Sequence, residues 1–277
     1  MKEPAQSRRE DLGSAQSYDT AAAVYDRVAV PNIFTPPAKD LVAMLSLPTG
    51  GKALDVGAGT GAVSVPAAKA VGPNGILVTL DPSLEMLGQA RQKGLVGAVA
   101  ARVPGMPFVS DAFDGVMASF VLSHIKDTKG ALADMVRVLR PGGRLGVTAW
   151  SDNESVFKTT WQEIAGCFVG AEFLEEAVSV TVPVEDRFVA AADLKSTLET
   201  AGLVHVSVAT RVYGVTISAA DYLEMREVGV TGRFMRRKLD GSAWDAFRTR
   251  AAEVFRKEFN DPLEYDSEAH LALGTKL

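Results

Sequence analysis

The stretch LDVGAGTGAVSVPAA, residues 54–68, sets Gly57, Gly59 and Gly61 at alternate positions between an apolar strand and an alanine-rich helix. Glycine frees the backbone at an entropic cost, so the turn must either bend sharply or let something lie against bare main chain. Around this turn the chain alternates. Short apolar strands are expected at 53–56, 76–80, 96–100, 115–120 and 144–149. None alternates with polar residues, which marks strands buried on both faces. Ser83 and Thr128 are placed to cap two of the intervening helices, and Pro141-Gly142-Gly143 to end the second with a left-handed glycine. Pro66 fits its helix if that helix begins near Ala62. Repeated strand–helix units predict an α/β fold with a doubly wound, mainly parallel sheet. After Trp150 the rhythm changes, then returns as a helix over 192–201, a strand over 204–212 and a closing strand over 269–274.

A chain of 277 residues suits one large domain with insertions. Its formal net charge of −5 offers nothing to nucleic acid or to an anionic membrane. The one basic cluster, Arg233-Phe234-Met235-Arg236-Arg237-Lys238, reads as a solvated helix face. Cys167 is the sole cysteine, so no internal disulfide or thiolate cluster forms, and its apolar neighbours predict a small core residue. His124, His205 and His270 lack metal-ligand spacing, and no metal is expected. With a polar start and no apolar run of membrane length, the expectation is a soluble, cytoplasmic protein, monomer or homodimer. Residues 1–16 read as a disordered tail, 17–50 as a helical lid broken at Pro31, Pro36 and Pro37, and 51–277 as the main domain. Residues 151–190 and 219–260 read as cap-like insertions.

Ligands of such sheets bind at the carboxyl ends of the strands, where strand order reverses. The glycine turn stands there, led by Asp55. Asp81 ends the second strand, 20 positions after Gly61, and a carboxylate there accepts both hydroxyls of a ribose. VPGMPFVSDAFD (103–114) then leads into the fourth strand, and LADMVRVLRPGGRLGVTAW (132–150) gives a helix, a tight turn and the fifth. Together these residues resemble the class I S-adenosylmethionine-dependent methyltransferases. The likeness is to the small-molecule, type 11 branch that includes the ubiquinone/menaquinone C-methyltransferases. The resemblance implies a Rossmann-like seven-stranded sheet of order 3-2-1-4-5-7-6 with its last strand antiparallel. It implies S-adenosylmethionine as cofactor, S-adenosylhomocysteine as product and a small-molecule acceptor. Carried over, Asp55, Gly57, Ala58, Gly59 and Gly61 form the turn beneath the methionine moiety. Asp81 holds the ribose, with Pro82, Ser83 and Met86 beside it, and Ser119 and Phe120 close the rim.

One position departs from the family pattern. An acid that accepts from the adenine amino group is replaced by Arg102, which offers only donors. Either Arg102 stacks on the ring, or backbone such as the Val103 N–H reads it, or the cofactor binds weakly or not at all. Methyl transfer needs chiefly alignment and, for a protonated acceptor, a base. His124, after the fourth strand, is the candidate base, with a loop-ordering histidine as the other reading. Tyr18 and Tyr25 match the family's N-terminal lid and, seven positions apart on a helix, share a face. Tyr25 is placed with the cofactor; Tyr18, Trp150, Trp161 and Tyr222 are placed in an apolar acceptor pocket. The expected reaction is methylation of an oxygen or carbon of a small, fairly apolar metabolite. The alternative keeps the cofactor as scaffold for a non-methylating reaction or for binding alone.

Overall fold

The computed structural model describes residues 15–151, 154–184 and 188–277. The tail expected at 1–16 lies outside them except for Ala15 and Gln16. The strands are β1 (Lys52–Val56), β2 (Ile76–Asp81), β3 (Ala98–Ala100), β4 (Phe113–Ser119), β5 (Leu139–Trp150), β6 (Leu203–Ile217) and β7 (Leu263–Lys276). They form one seven-stranded sheet of order β3-β2-β1-β4-β5-β7-β6. β1 to β5 pair in parallel, and β7 runs antiparallel to both β5 and β6. The order reverses between β1 and β4, so the ligand edge lies at their carboxyl ends.

Helices cover both faces, as fully buried strands require. On one side lie α1 (Thr35–Leu45) and α2 (Ser64–Val71), packing Leu41, Leu45 and Ala67 onto Ala53 and Met117. α3 (Leu84–Gln92) lies against β2 and β3. On the other side, α4 (Thr128–Val138) and α7 (Ala191–Thr200) bury Leu132, Met135, Leu194 and Leu198 against Leu54, Val116 and Val147. Several ends differ from expectation. The cap of α4 is Asp127, whose side chain accepts the Gly130 N–H at 2.8 Å, while the Thr128 hydroxyl donates back to the Ile125 carbonyl. α4 stops at Val138, because Leu139 already pairs with Phe113; Gly142 then bends a strand rather than capping a helix. α2 begins at Ser64, so Pro66 still falls in the first turn, where its missing N–H goes unneeded.

β6 and β7 run further than their apolar pattern indicates. β5 follows β7 only as far as the Trp150–Ala269 pair; beyond it, Val212–Ile217 and Leu263–Glu268 continue as a two-stranded arm. On this arm sits a second core. Val215, Ile217 and Leu263 meet α5 (Val156–Val169), α8 (Ala219–Val228), α9 (Val230–Lys238) and α10 (Gly241–Glu258). A fifth helix, α6 (Ala171–Thr181), adds Leu174. Trp161, Phe247 and Phe255 are at most 1% exposed there, each contributing about 1.5–3 kcal/mol by burial. Cys167 is exposed, not core: α5 turns Ile164, Ala165 and Val169 inward and leaves position 167 on its outer face.

The N-terminal segment is not one α-helix broken by prolines. It runs as a 3₁₀ stretch (Ala15–Ala21), one α-turn (Ala22–Val24) and a π-helix (Tyr25–Phe34) that contains Pro31, before α1. Its Val28 is buried in the second core, so the N-terminal segment and the helices on the arm share packing.

Candidate active site

The turn after β1 is fastened to β2. The Gly57 and Ala58 N–H groups both donate to the Leu80 carbonyl, at 2.8 and 3.0 Å. Gly57 has φ +67°, and a Cβ there would come within 2.4 Å of Val121. Gly59 has φ +54° and meets only Tyr25, at 3.7 Å. The first therefore serves packing, and the second leaves main chain bare beneath an aromatic ring.

Asp81 is 8% exposed at the end of β2. One carboxylate oxygen accepts the Gly59 N–H at 2.9 Å, the other the Ser83 N–H at 2.8 Å. Each oxygen keeps a second lone pair, which suits a pair of vicinal hydroxyls. Burial pushes the Asp81 pKa up, against the pull of those two N–H donors. Asp55, fully interior, accepts the Ser64 hydroxyl at 2.6 Å and is pushed up to about 7 by burial, with the Asp81 charge adding. Ser83 caps α3 by accepting the Met86 N–H, and its hydroxyl donates to Asp19 of the lid at 2.5 Å. Lys93 bonds both Asp26 and the Thr60 carbonyl, a second clasp between lid and turn. Arg102 is exposed and Pro82 half-buried on this rim, and Val103 is packed against the sheet core.

Four rings line the other side. Phe120 stacks on Trp150 with centroids 3.8 Å apart. Phe34 meets Phe120 at 5.6 Å, Trp150 at 5.9 Å and Tyr25 at 5.0 Å. Ser119 shares a 2.8 Å hydrogen bond with Thr148, whose hydroxyl also accepts the Phe120 N–H. This fixes Phe120 at a left-handed φ of +54°.

His124 closes the site. Its Nδ1 lies 3.1 Å from the Thr181 carbonyl and 3.2 Å from the Tyr18 hydroxyl. A carbonyl only accepts, so Nδ1 carries the proton and Nε2 is left as the basic nitrogen. The imidazole is accessible, yet burial, with Arg233's charge adding, holds its pKa below the usual histidine range. Tyr18 presents its ring to Arg233, 3.9 Å from the guanidinium carbon. Burial pushes the pKa of Tyr18 and of Tyr25 up, so both stay neutral.

The fold thus gathers Tyr18, Tyr25, Asp55, the glycine turn, Asp81, Ser83, Phe120, His124 and Trp150. Trp161 and Tyr222 it does not: they lie inside the second core, in contact with Phe247 and Phe255. Their aromatic character reflects packing of the cap. Phe34, Asp19, the Thr181 carbonyl and Arg233 carry no sequence signal that singles them out. A separate groove of about 990 Å³ lies between α5 and α6, lined by Cys167, Leu174 and Val178. Among the described residues no cluster of three or more His, Cys, Asp or Glu could hold a metal, and no helix is long and apolar enough to cross a membrane.

Residues 54–147 match the family described as a methyltransferase domain. The aklanonic acid methyltransferase DauC of Streptomyces sp. (strain C5) is 35% identical over 48% of this chain and 63% of its own. Nocamycin O-methyltransferase of Saccharothrix syringae is 36% identical over 47% of this chain and 49% of its own. A ubiquinone/menaquinone biosynthesis C-methyltransferase of Marinomonas sp. is 39% identical over 37% and 43%. The chain thus spans about half the length of the curated relatives it matches. A Thermotoga maritima methyltransferase, described as a possible histamine N-methyltransferase, shares the fold at TM-score 0.54 and 19% identity, over 94% of this chain and 99% of its own. The resemblance to S-adenosylmethionine-dependent methyltransferases and the expected strand order both hold.

Proposed function

We propose that this protein transfers a methyl group from S-adenosylmethionine to an oxygen or carbon of a small, fairly apolar acceptor. The observation that carries the reading is the Asp81 carboxylate, nearly buried, each oxygen tied to one loop N–H and free to accept one ribose hydroxyl. The cofactor supplies an electrophilic methyl on a sulfonium, with a neutral thioether as leaving group. Asp81 holds the sugar, the 57–61 turn supports the methionine part and Tyr25 covers it. Adenine recognition falls to backbone near Val103, since Arg102 has only donors. Phe34, Phe120 and Trp150 exclude water and give an apolar acceptor its wall. His124 Nε2 stands as the base for an acceptor that arrives protonated.

Acceptors named for the relatives, aklanonic acid and ubiquinone or menaquinone precursors among them, are small molecules, which supports that class here. The test is calorimetry and thermal shift with S-adenosylhomocysteine, followed by transfer of a deuterated methyl from the cofactor to a panel of apolar phenols, enols and acids, read by mass. S-adenosylhomocysteine is expected to raise Tm by several degrees at a hundredfold excess over its Kd, about 2.7 kcal/mol of linkage. A Tm unmoved by S-adenosylhomocysteine, with no label transferred, overturns the reading.

A further inference from the structure

Arg233 stands out among the cations of the chain. It is 8% exposed, and its Nε and Nη2 make no hydrogen bond. Nη1 donates to the Val228 carbonyl at 3.1 Å, and the guanidinium also engages Tyr18, a neutral partner. Among the described residues it forms no ion pair. Its neighbours Arg236, Arg237 and Lys238 on α9 are exposed, as a solvated face requires; Arg233 is the one turned inward. The junction of α8 and α9 holds it there: a Cβ on Gly232 would lie 2.3 Å from the Arg226 and Glu227 carbonyls. A buried guanidinium with unsatisfied N–H groups and no counter-charge is strongly unfavourable unless something completes it.

What it faces is the acceptor side of the site. Its guanidinium carbon lies over the Tyr18 ring, and the Tyr18 hydroxyl bonds His124. We propose that Arg233 is the charge partner of an acidic acceptor, which binds beside His124 as a delocalised two-oxygen anion: a carboxylate or an enolised 1,3-dicarbonyl. Planar anions of this kind match a guanidinium fork in charge and shape, which a point cation does not. The His124 environment agrees. An imidazole held below the usual range is neutral near pH 7, so Arg233 is the charge that faces such an anion. This inference rests on the methyltransferase reading and narrows its acceptor class.

The test is calorimetry on the full chain saturated with S-adenosylhomocysteine. One arm compares 2-naphthoate with 2-naphthamide, and the other 2-acetylindane-1,3-dione with its enol methyl ether. At least one anion is expected to bind tenfold or more tightly than its neutral counterpart, and the arm that does so tells carboxylate from enolate. Arg233→Gln should erase that preference, and Arg233→Lys should keep part of it. If neither anion outbinds its neutral partner, or if Arg233→Gln keeps the preference, the assignment is overturned and Arg233 merely packs Tyr18. The wild-type comparison decides even where a variant does not fold. Failure of S-adenosylhomocysteine to bind at all would instead sink the underlying reading.

Discussion

At the scale of single residues, two titrating groups of the site make opposite predictions. His124 has a folded pKa below its unfolded value, so the folded protein sheds a proton that the unfolded chain keeps. Its contribution to stability is present above pH 6.5 and is lost as pH falls through and below that value. An NMR titration of its ring protons should give a midpoint below 6.5, and His124→Gln should remove that transition and lower kcat by about 10²–10⁴ if it acts as the base. Asp55 behaves in reverse. With a folded pKa of about 7 against 3.8 unfolded, it keeps its proton on folding, so stability falls as pH rises across that window. A ligand ammonium seated on the turn should draw that proton off, and calorimetry in buffers of different ionisation enthalpy at pH 7 should register proton release on binding S-adenosylhomocysteine. Asp81→Asn should weaken that binding by about 10- to 100-fold and lower Tm as well, since the charge is lost and one loop N–H is left without its acceptor. Asp81 and the glycines were legible in the sequence because a turn between strand and helix demands particular residue types. Arg233 was not, because one inward cation in a run of four looks the same as its exposed neighbours.

Among the elements, the turn after β1 separates folding from binding within three residues. Gly57→Ala meets Val121 and a positive φ together, and should cost about 1–3 kcal/mol, seen as a lower Tm. Gly59→Ala meets no close atom, so its strain alone should lower Tm less while it blocks ligand approach and weakens S-adenosylhomocysteine binding more. Strand positions near the turn were legible since β1, β2, β4 and β5 are buried on both faces and read as apolar runs. β6 and β7 were cut short in the reading because their outer residues, from Tyr213 to Ile217 and Leu263 to Glu268, mix polar and apolar types on a half-exposed arm. The lid's 3₁₀ and π stretches have no sequence period of their own, so only their helical character came through.

For the whole molecule, two cores divide the work. The sheet core holds the cofactor side, and the second core holds the cap and reaches the lid through Val28. Phe255→Ala should cost about 3–5 kcal/mol. It should also loosen the N-terminal segment, read as faster amide exchange over residues 18–34, while β1, β2 and β4 keep their protection. The family match ends at Val147, three residues short of the end of β5, and the cap hangs from an arm that β5 does not touch. On the proposed function, such a joint lets evolution exchange the machinery that chooses a customer without retooling the machinery that delivers the goods. A chimaera that takes the corresponding helices of a similar methyltransferase at this seam should keep its grip on the nucleoside and acquire the donor's taste in acceptors.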